Sequence, residues 1–145
     1  MATFDYRKTP NAIRPATPKP GINLFYTKID FSDRNLAAND TLELMPIKDG
    51  WIITDSYYRF STASTSTGTA DLGTSSGGQE IAAAVDVDGA LTAWTVGTIT
   101  EEGAAVAEVT ADGHIFYECL TQPITDGIFE LMIEVIIAPG DDGLN

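Results

Sequence analysis

Few residues in this chain could do covalent chemistry, and their neighbours decide how far each can be taken. His114 is the only histidine and Cys119 the only cysteine. A zinc site or a Ser-His-Asp triad would have to be built around His114. Neither the spacing of metal ligands nor a Gly-x-Ser-x-Gly elbow is present. His114 follows a tight turn and reads as an exposed strand residue. Cys119, inside an apolar strand, reads as a small core residue. Asp86-Val87-Asp88-Gly89 begins like a calcium loop, but an EF-hand wants a ligand at its fifth position and Glu at its twelfth. Ala90 and Gly97 stand there, so we read a turn. Glu101-Glu102 offers two carboxylates, the currency of glycosidases, but adjacent acids in a Gly-flanked turn read as solvated. Trp51, Tyr57, Tyr58 and Trp94 could stack against a sugar. In alternating strands such residues more commonly form core or subunit interface, and Trp51, Tyr57 and Tyr58 are our interface candidates. We assign no catalytic, cofactor-binding or metal-binding residue.

The elements that would position these residues are short strands. Asp-Gly dipeptides at 49–50, 88–89, 112–113 and 126–127 punctuate segments rich in β-branched and aromatic residues, the grammar of antiparallel β-structure. Gly21–Phe31 is the first strand, with Ile22, Leu24 and Tyr26 alternating with Asn23 and Thr27. Thr41–Ile47 is the second, with Leu42, Leu44 and Pro46 on one face and Glu43, Met45 and Ile47 on the other. Trp51–Ser61 is long, and neither of its two interleaved sets is cleanly polar. Asn39-Asp40-Thr41 is formally a glycosylation sequon, read here as a turn. Thr69–Leu72 is a brief strand within a Ser/Thr/Gly loop. Gln79–Val87 contains Ala82-Ala83-Ala84, which favours a short helix or loop leading into a strand. Ala90–Thr98 is a strand. Residues 104–120 read as a hairpin turned by Asp112-Gly113. Ile128–Ala138 has the cleanest two-residue period, with Phe129, Leu131, Ile133, Val135 and Ile137 on one face, and should lie central to the core. With no convincing long helix, the expectation is an all-β, antiparallel β-sandwich, jelly-roll-like.

Length and charge bound the rest. A chain of 145 residues fits one domain. We divide it into an extended, Pro-rich, basic arm (1–20), a sandwich (21–140) and an acidic C-terminal tail (141–145). Pro10, Pro15, Pro18 and Pro20 exclude a helix from the arm. Its composition suits a disordered tail; an arm clamped by a partner is the reading we favour. A single cysteine, no apolar run near the N-terminus and no stretch long enough to span a bilayer lead us to expect a soluble protein made in a reducing cytoplasm. The net charge is −13. Arg7, Lys8, Arg14, Lys19 and Lys28 stand against Asp5 alone in the first 28 residues, and no Lys or Arg follows Arg59. So acidic a body repels nucleic acid and anionic membranes, and we expect neither as a partner.

The layout of residues 41–138 resembles the decoration (cement) proteins of tailed-phage capsids. The resemblance is carried by a strand, the Pro46-Ile47-Lys48-Asp49-Gly50 corner, a long strand and a Ser/Thr loop with Thr69-Ala70-Asp71-Leu72-Gly73. The Asp86–Gly89 turn and the apolar strand led by Asp126-Gly127 complete it. It implies a non-enzymatic virion protein, without cofactor, that binds the major capsid protein on the outside of the shell. It also implies a homo-oligomer, a trimer for choice, that bridges capsid subunits and resists internal DNA pressure. Arg7, Lys8, Arg14 and Lys19 would then form a capsid-binding arm. The alternative is a glycan- or receptor-binding domain of a phage head or tail fibre. A small enzyme centred on His114 is a third class.

Overall fold

A computed structural model describes residues 3–5, 21–89, 93–98 and 107–138. Ten strands follow in order: β1 (Thr3–Asp5), β2 (Gly21–Asp30), β3 (Thr41–Ile47), β4 (Ile52–Thr62), β5 (Thr69–Gly73), β6 (Ala82–Asp86), β7 (Thr95–Val96), β8 (Ala107–Glu108), β9 (Gly113–Cys119) and β10 (Ile128–Ile137). One sheet runs β1-β3-β9-β5-β6; the other runs β2-β10-β4, with β7 and β8 both on the far side of β4. Every pairing is antiparallel except β1 with β3. Leaving β1 aside, the pairs nest: β2 with β10, β3 with β9, β4 with β7 and β8, β5 with β6. The all-β sandwich expected from the sequence is therefore present. Of the arm, Thr3–Asp5 forms β1; residues 6–20 and the acidic tail lie outside the described residues.

β10 sits in the middle of its sheet, between β2 and β4. Phe129, Leu131, Ile133, Val135 and Ile137 are all buried, as their period required. Phe129 joins Phe31, Phe60 and Tyr117 in an aromatic cluster with ring centroids 5.1–6.3 Å apart. Packing at these distances adds about 0.5–1.5 kcal/mol per pair to the gain from burial.

Two strands read ambiguously because each carries at least one extra residue. In β4, Glu134 faces Asp55 while Val135 faces Ile53, so Thr54 is inserted. The inward face thus changes parity, from Trp51 and Ile53 to Ser56, Tyr58 and Phe60. In β3, Leu44 is the extra residue. Leu42, Leu44, Met45 and Ile47 are all buried, while Glu43 and Pro46 are half-exposed, so the two faces expected from strict alternation do not hold. β2 inverts the expected face: Phe25, Thr27 and Ile29 are buried and Ile22 and Leu24 exposed. Its pairing with β10 sets this, since Ile133 and Phe129 lie opposite Phe25 and Ile29.

Two further expectations are corrected. Ala82-Ala83-Ala84 is not helical but opens β6. Asp71 Oδ1 accepts the Ala84 N–H (2.8 Å) and Ala84 takes φ +49, so ladder and carboxylate together override alanine's helical preference. Asp112-Gly113 does not turn a hairpin. β8 pairs with β4 in one sheet and β9 with β3 and β5 in the other, so the dipeptide is a corner between sheets. Asp112 accepts the Asp49 N–H (3.0 Å) and lies 3.3 Å from Lys48 Nζ, which ties this corner to the one between β3 and β4. Of the expected Ala90–Thr98 strand only Thr95–Val96 pairs; Ala93, Trp94, Gly97 and Thr98 are not strand, and 90–92 lie outside the described residues.

Candidate interaction surface

The outward side chains of the β2-β10-β4-β7 sheet fall into four rows fixed by register. The first is Lys28, Glu130, Arg59. The second is Tyr26, Met132, Tyr57, Val96. The third is Leu24, Glu134, Asp55, and the fourth is Ile22, Ile136, Ile52. These residues point outward because their neighbours on β10 fill the core, and a strand alternates faces.

The first row is closed. Arg59 Nε donates to Glu130 Oε2 (2.8 Å), and the Tyr26 hydroxyl donates to Glu130 Oε1 (2.5 Å). Trp94, from the segment before β7, caps the group. The Arg59 guanidinium lies 4.5 Å from its ring centroid, and Tyr26 meets it edge-on at 6.5 Å. Glu130 is left only 6 % exposed. Burial alone would raise its carboxyl, but hydrogen bonds from Arg59, Tyr26 and Ser61 outweigh that and hold it below the usual range. Burial, and then the bond to that carboxylate, push the Tyr26 hydroxyl up to about 12.

The lower rows are open. Ile22 is 73 % exposed, Leu24 60 % and Ile136 38 %; in the second row Val96 is 56 % exposed. Between the apolar rows stand two acids, Glu134 and Asp55, directly opposite one another. Glu134 Oε1 also accepts the Thr54 hydroxyl (2.7 Å).

The interface candidates divide. Tyr57 lies on this face, half-exposed. Tyr58 points inward against the core, and burial raises its hydroxyl. Trp51 is 3 % exposed and stacks on Phe25 (centroids 5.5 Å apart, planes at 3°), so it is core and offers no interface surface. Arg7, Lys8, Arg14, Lys19 and Glu101-Glu102 lie outside the described residues. His114 is half-exposed on β9, with Nε2 3.8 Å from Glu43 Oε2. Cys119 is buried, its thiol donates to the Gln122 carbonyl (2.9 Å), and burial pushes it up to about 11. Asp86 and Asp88 are exposed. Among the described residues no three His, Cys, Asp or Glu side chains converge as metal ligands. A cleft of about 250 Å³ lies at the Asp112-Gly113 corner, lined by residues such as Ile47, Thr74 and Val109. It falls below the roughly 300–1,000 Å³ usual for small-molecule sites. Sequence reasoning missed the Tyr26–Glu130–Arg59 group; Glu130 interrupting an apolar strand was its one local sign.

No protein-family model matches the chain, and no curated protein matches it. Solved structures do. A chain of the cyanophage Pam1 capsid asymmetric unit superposes with a TM-score of 0.61 at 15 % identity, covering 85 % of this chain and 92 % of that one. A chain of the capsid of Ralstonia phage GP4 gives 0.59 at 16 % identity, covering 88 % and 92 %. At these identities the likeness is one of fold: this sandwich is a fold found in phage capsids.

Proposed function

We propose that this chain is a non-enzymatic virion structural protein that binds the outer surface of a phage capsid and stabilises it by bridging capsid subunits. The observation that carries this reading is the shared fold: chains from two phage capsid structures match over 92 % of their own length. The nested strand pairs support the jelly-roll form of the sandwich. The partner is the major capsid protein, and a homo-oligomer, a trimer for choice, is the form that bridges. Linking several weak contacts in one particle raises overall affinity without any new contact. The basic arm with Arg7, Lys8, Arg14 and Lys19 adds to that affinity, and the acidic body keeps nucleic acid and membranes away. The fibre-domain alternative draws less support, because of the four candidate stacking residues Trp51 is buried, Tyr58 packs against the core and the Trp94 ring is engaged by Arg59 and Tyr26.

The test is to heat shells stripped of outer proteins, with and without the purified chain, and follow DNA release. A higher release temperature with the chain bound is expected. An unchanged release temperature at saturating protein would remove the stabilising role.

A further inference from the structure

We infer that Asp88-Gly89, just after β6, is a site of spontaneous covalent modification, where Asp88 isomerises to isoaspartate. The fold holds the Asp-Gly dipeptides at 49–50, 112–113 and 126–127 back from the same reaction. The inference is independent of the capsid reading.

The chemistry needs only the dipeptide and water. Glycine has no side chain to shield its own nitrogen. The Gly89 nitrogen attacks Cγ of the protonated Asp88 carboxyl. The new C–N bond closes a succinimide ring, and the amide proton and the carboxyl hydroxyl leave as water. A water molecule then adds to the Asp88 main-chain carbonyl carbon and breaks its bond to the Gly89 nitrogen, so the chain now runs through Cγ. Water leaves and water returns, so the product keeps the mass of the starting chain and nothing is oxidised or reduced. The step requires a nitrogen and a carboxyl that are both free to meet.

Three of the dipeptides lack that freedom. At 49–50 the nucleophile is tied, because the Gly50 N–H donates to the Val109 carbonyl (2.8 Å). At 112–113 the carboxyl is tied. Asp112 Oδ1 accepts the Asp49 N–H (3.0 Å), Oδ2 lies 3.3 Å from Lys48 Nζ, and Gly113 opens β9 opposite Ile47. At 126–127, Asp126 Oδ1 accepts the Thr65 N–H and the Ser64 hydroxyl, and Oδ2 accepts the Thr65 hydroxyl, each at 2.8 Å. These bonds, led by the backbone N–H of Asp49 and of Thr65, hold both carboxyls below the usual range, and an ionised carboxylate has no hydroxyl to lose.

At 88–89 the fold's grip ends one residue earlier. Val87 is buried; its carbonyl accepts the Ser64 N–H (2.8 Å) and its own N–H donates to the Gly68 carbonyl (3.4 Å). Asp88 is exposed, and among the described residues nothing bonds its carboxylate or the Gly89 N–H. A Cβ placed on Gly89 would meet nothing within 4 Å. Asp142-Gly143, in the tail, lies outside the described residues.

The test is to hold the purified full-length chain at neutral pH for weeks, native or unfolded in guanidinium chloride. Cleavage after glutamate puts each dipeptide on its own peptide, and electron-transfer fragmentation locates isoaspartate. In the native chain Asp88 should convert at least about tenfold faster than Asp49, Asp112 and Asp126, which react only when their segments open. In the unfolded chain the four rates should agree within about threefold. Gly89→Ala, for which there is space, should slow Asp88 about tenfold by crowding the nitrogen and leave the other three unchanged. If any of the other three converts as fast as Asp88 in the native chain, the inference is overturned. An equal preference for Asp88 in the unfolded chain would also overturn it, because the selection would then lie in the local sequence and not in the fold.

Discussion

Replacing Arg59 with methionine keeps a long side chain but removes the charge facing Glu130. The Glu130 side chain is 8 % exposed and that of Arg59 26 %. Removing one partner from a fully buried pair costs about 3–5 kcal/mol. Because about a quarter of the arginine reaches water, and Tyr26 and Ser61 still bond the carboxylate, we reduce this to about 2 kcal/mol. Loss of the guanidinium from the Trp94 ring adds about 0.5–1 kcal/mol. For a domain of this size each kcal/mol moves the melting temperature about 3 °C, so a fall of about 8–9 °C is expected. The pH dependence carries the sign. In the wild type the folded-state pKa of Glu130 lies below the ordinary value of 4.5. Its contribution is therefore complete above that value and drains away as pH falls through the lowered one. In the variant, burial is no longer outweighed and the carboxyl rises, so a protonated Glu130 needs no cation and the deficit should shrink at about pH 4. Thermal unfolding followed by circular dichroism at neutral and acid pH reads both effects. Arg59→Met/Glu130→Met should recover most of the loss. A deficit under about 0.5 kcal/mol at neutral pH, or one equal at both, would refute the reasoning.

Two further outcomes follow from the core. The Tyr117 hydroxyl is fully buried with no hydrogen-bond partner among the described residues, so Tyr117→Phe should leave stability unchanged or raise it by up to about 2 kcal/mol; chemical denaturation showing a loss above about 1 kcal/mol would contradict this. Cys119, its thiol raised from 9.0 to about 11, should react with iodoacetamide at neutral pH at least about a hundredfold more slowly than a free thiol. Because the folded value lies above the unfolded one, its contribution is complete below 9.0 and is lost as pH rises toward about 11. Labelling at the free-thiol rate in native buffer would show the site to be open.

Legibility in the sequence tracked how far each signal was local. β10 was readable because five apolar residues alternate without a break while Glu130 and Glu134 punctuate the other face. β4 and β3 were not, because Thr54 and Leu44 shift the parity midway, and a bulge has no marker in composition. β2 was misread because Ile22 and Leu24 are apolar and exposed, and hydrophobic periodicity assumes that apolar means buried. The Asp112-Gly113 corner has hairpin chemistry; only pairing with strands more than 50 residues away sends its flanks to different sheets. The same distance hides the candidate face. Arg59 meets Glu130 across 71 positions, and the acid row exists only once β4 and β10 are in register. Trp51 and Trp94 show the limit for aromatics: residue type says that they pack, whereas topology put the first in the core and the second on the sheet.

The capsid reading is tested most directly by adding the purified chain to shells stripped of outer proteins and counting copies per shell by quantitative mass spectrometry after sedimentation. Saturable binding at a fixed ratio to the major capsid protein is the expected result. Absence of binding at micromolar protein, with intact shells recovered in the pellet, would contradict it.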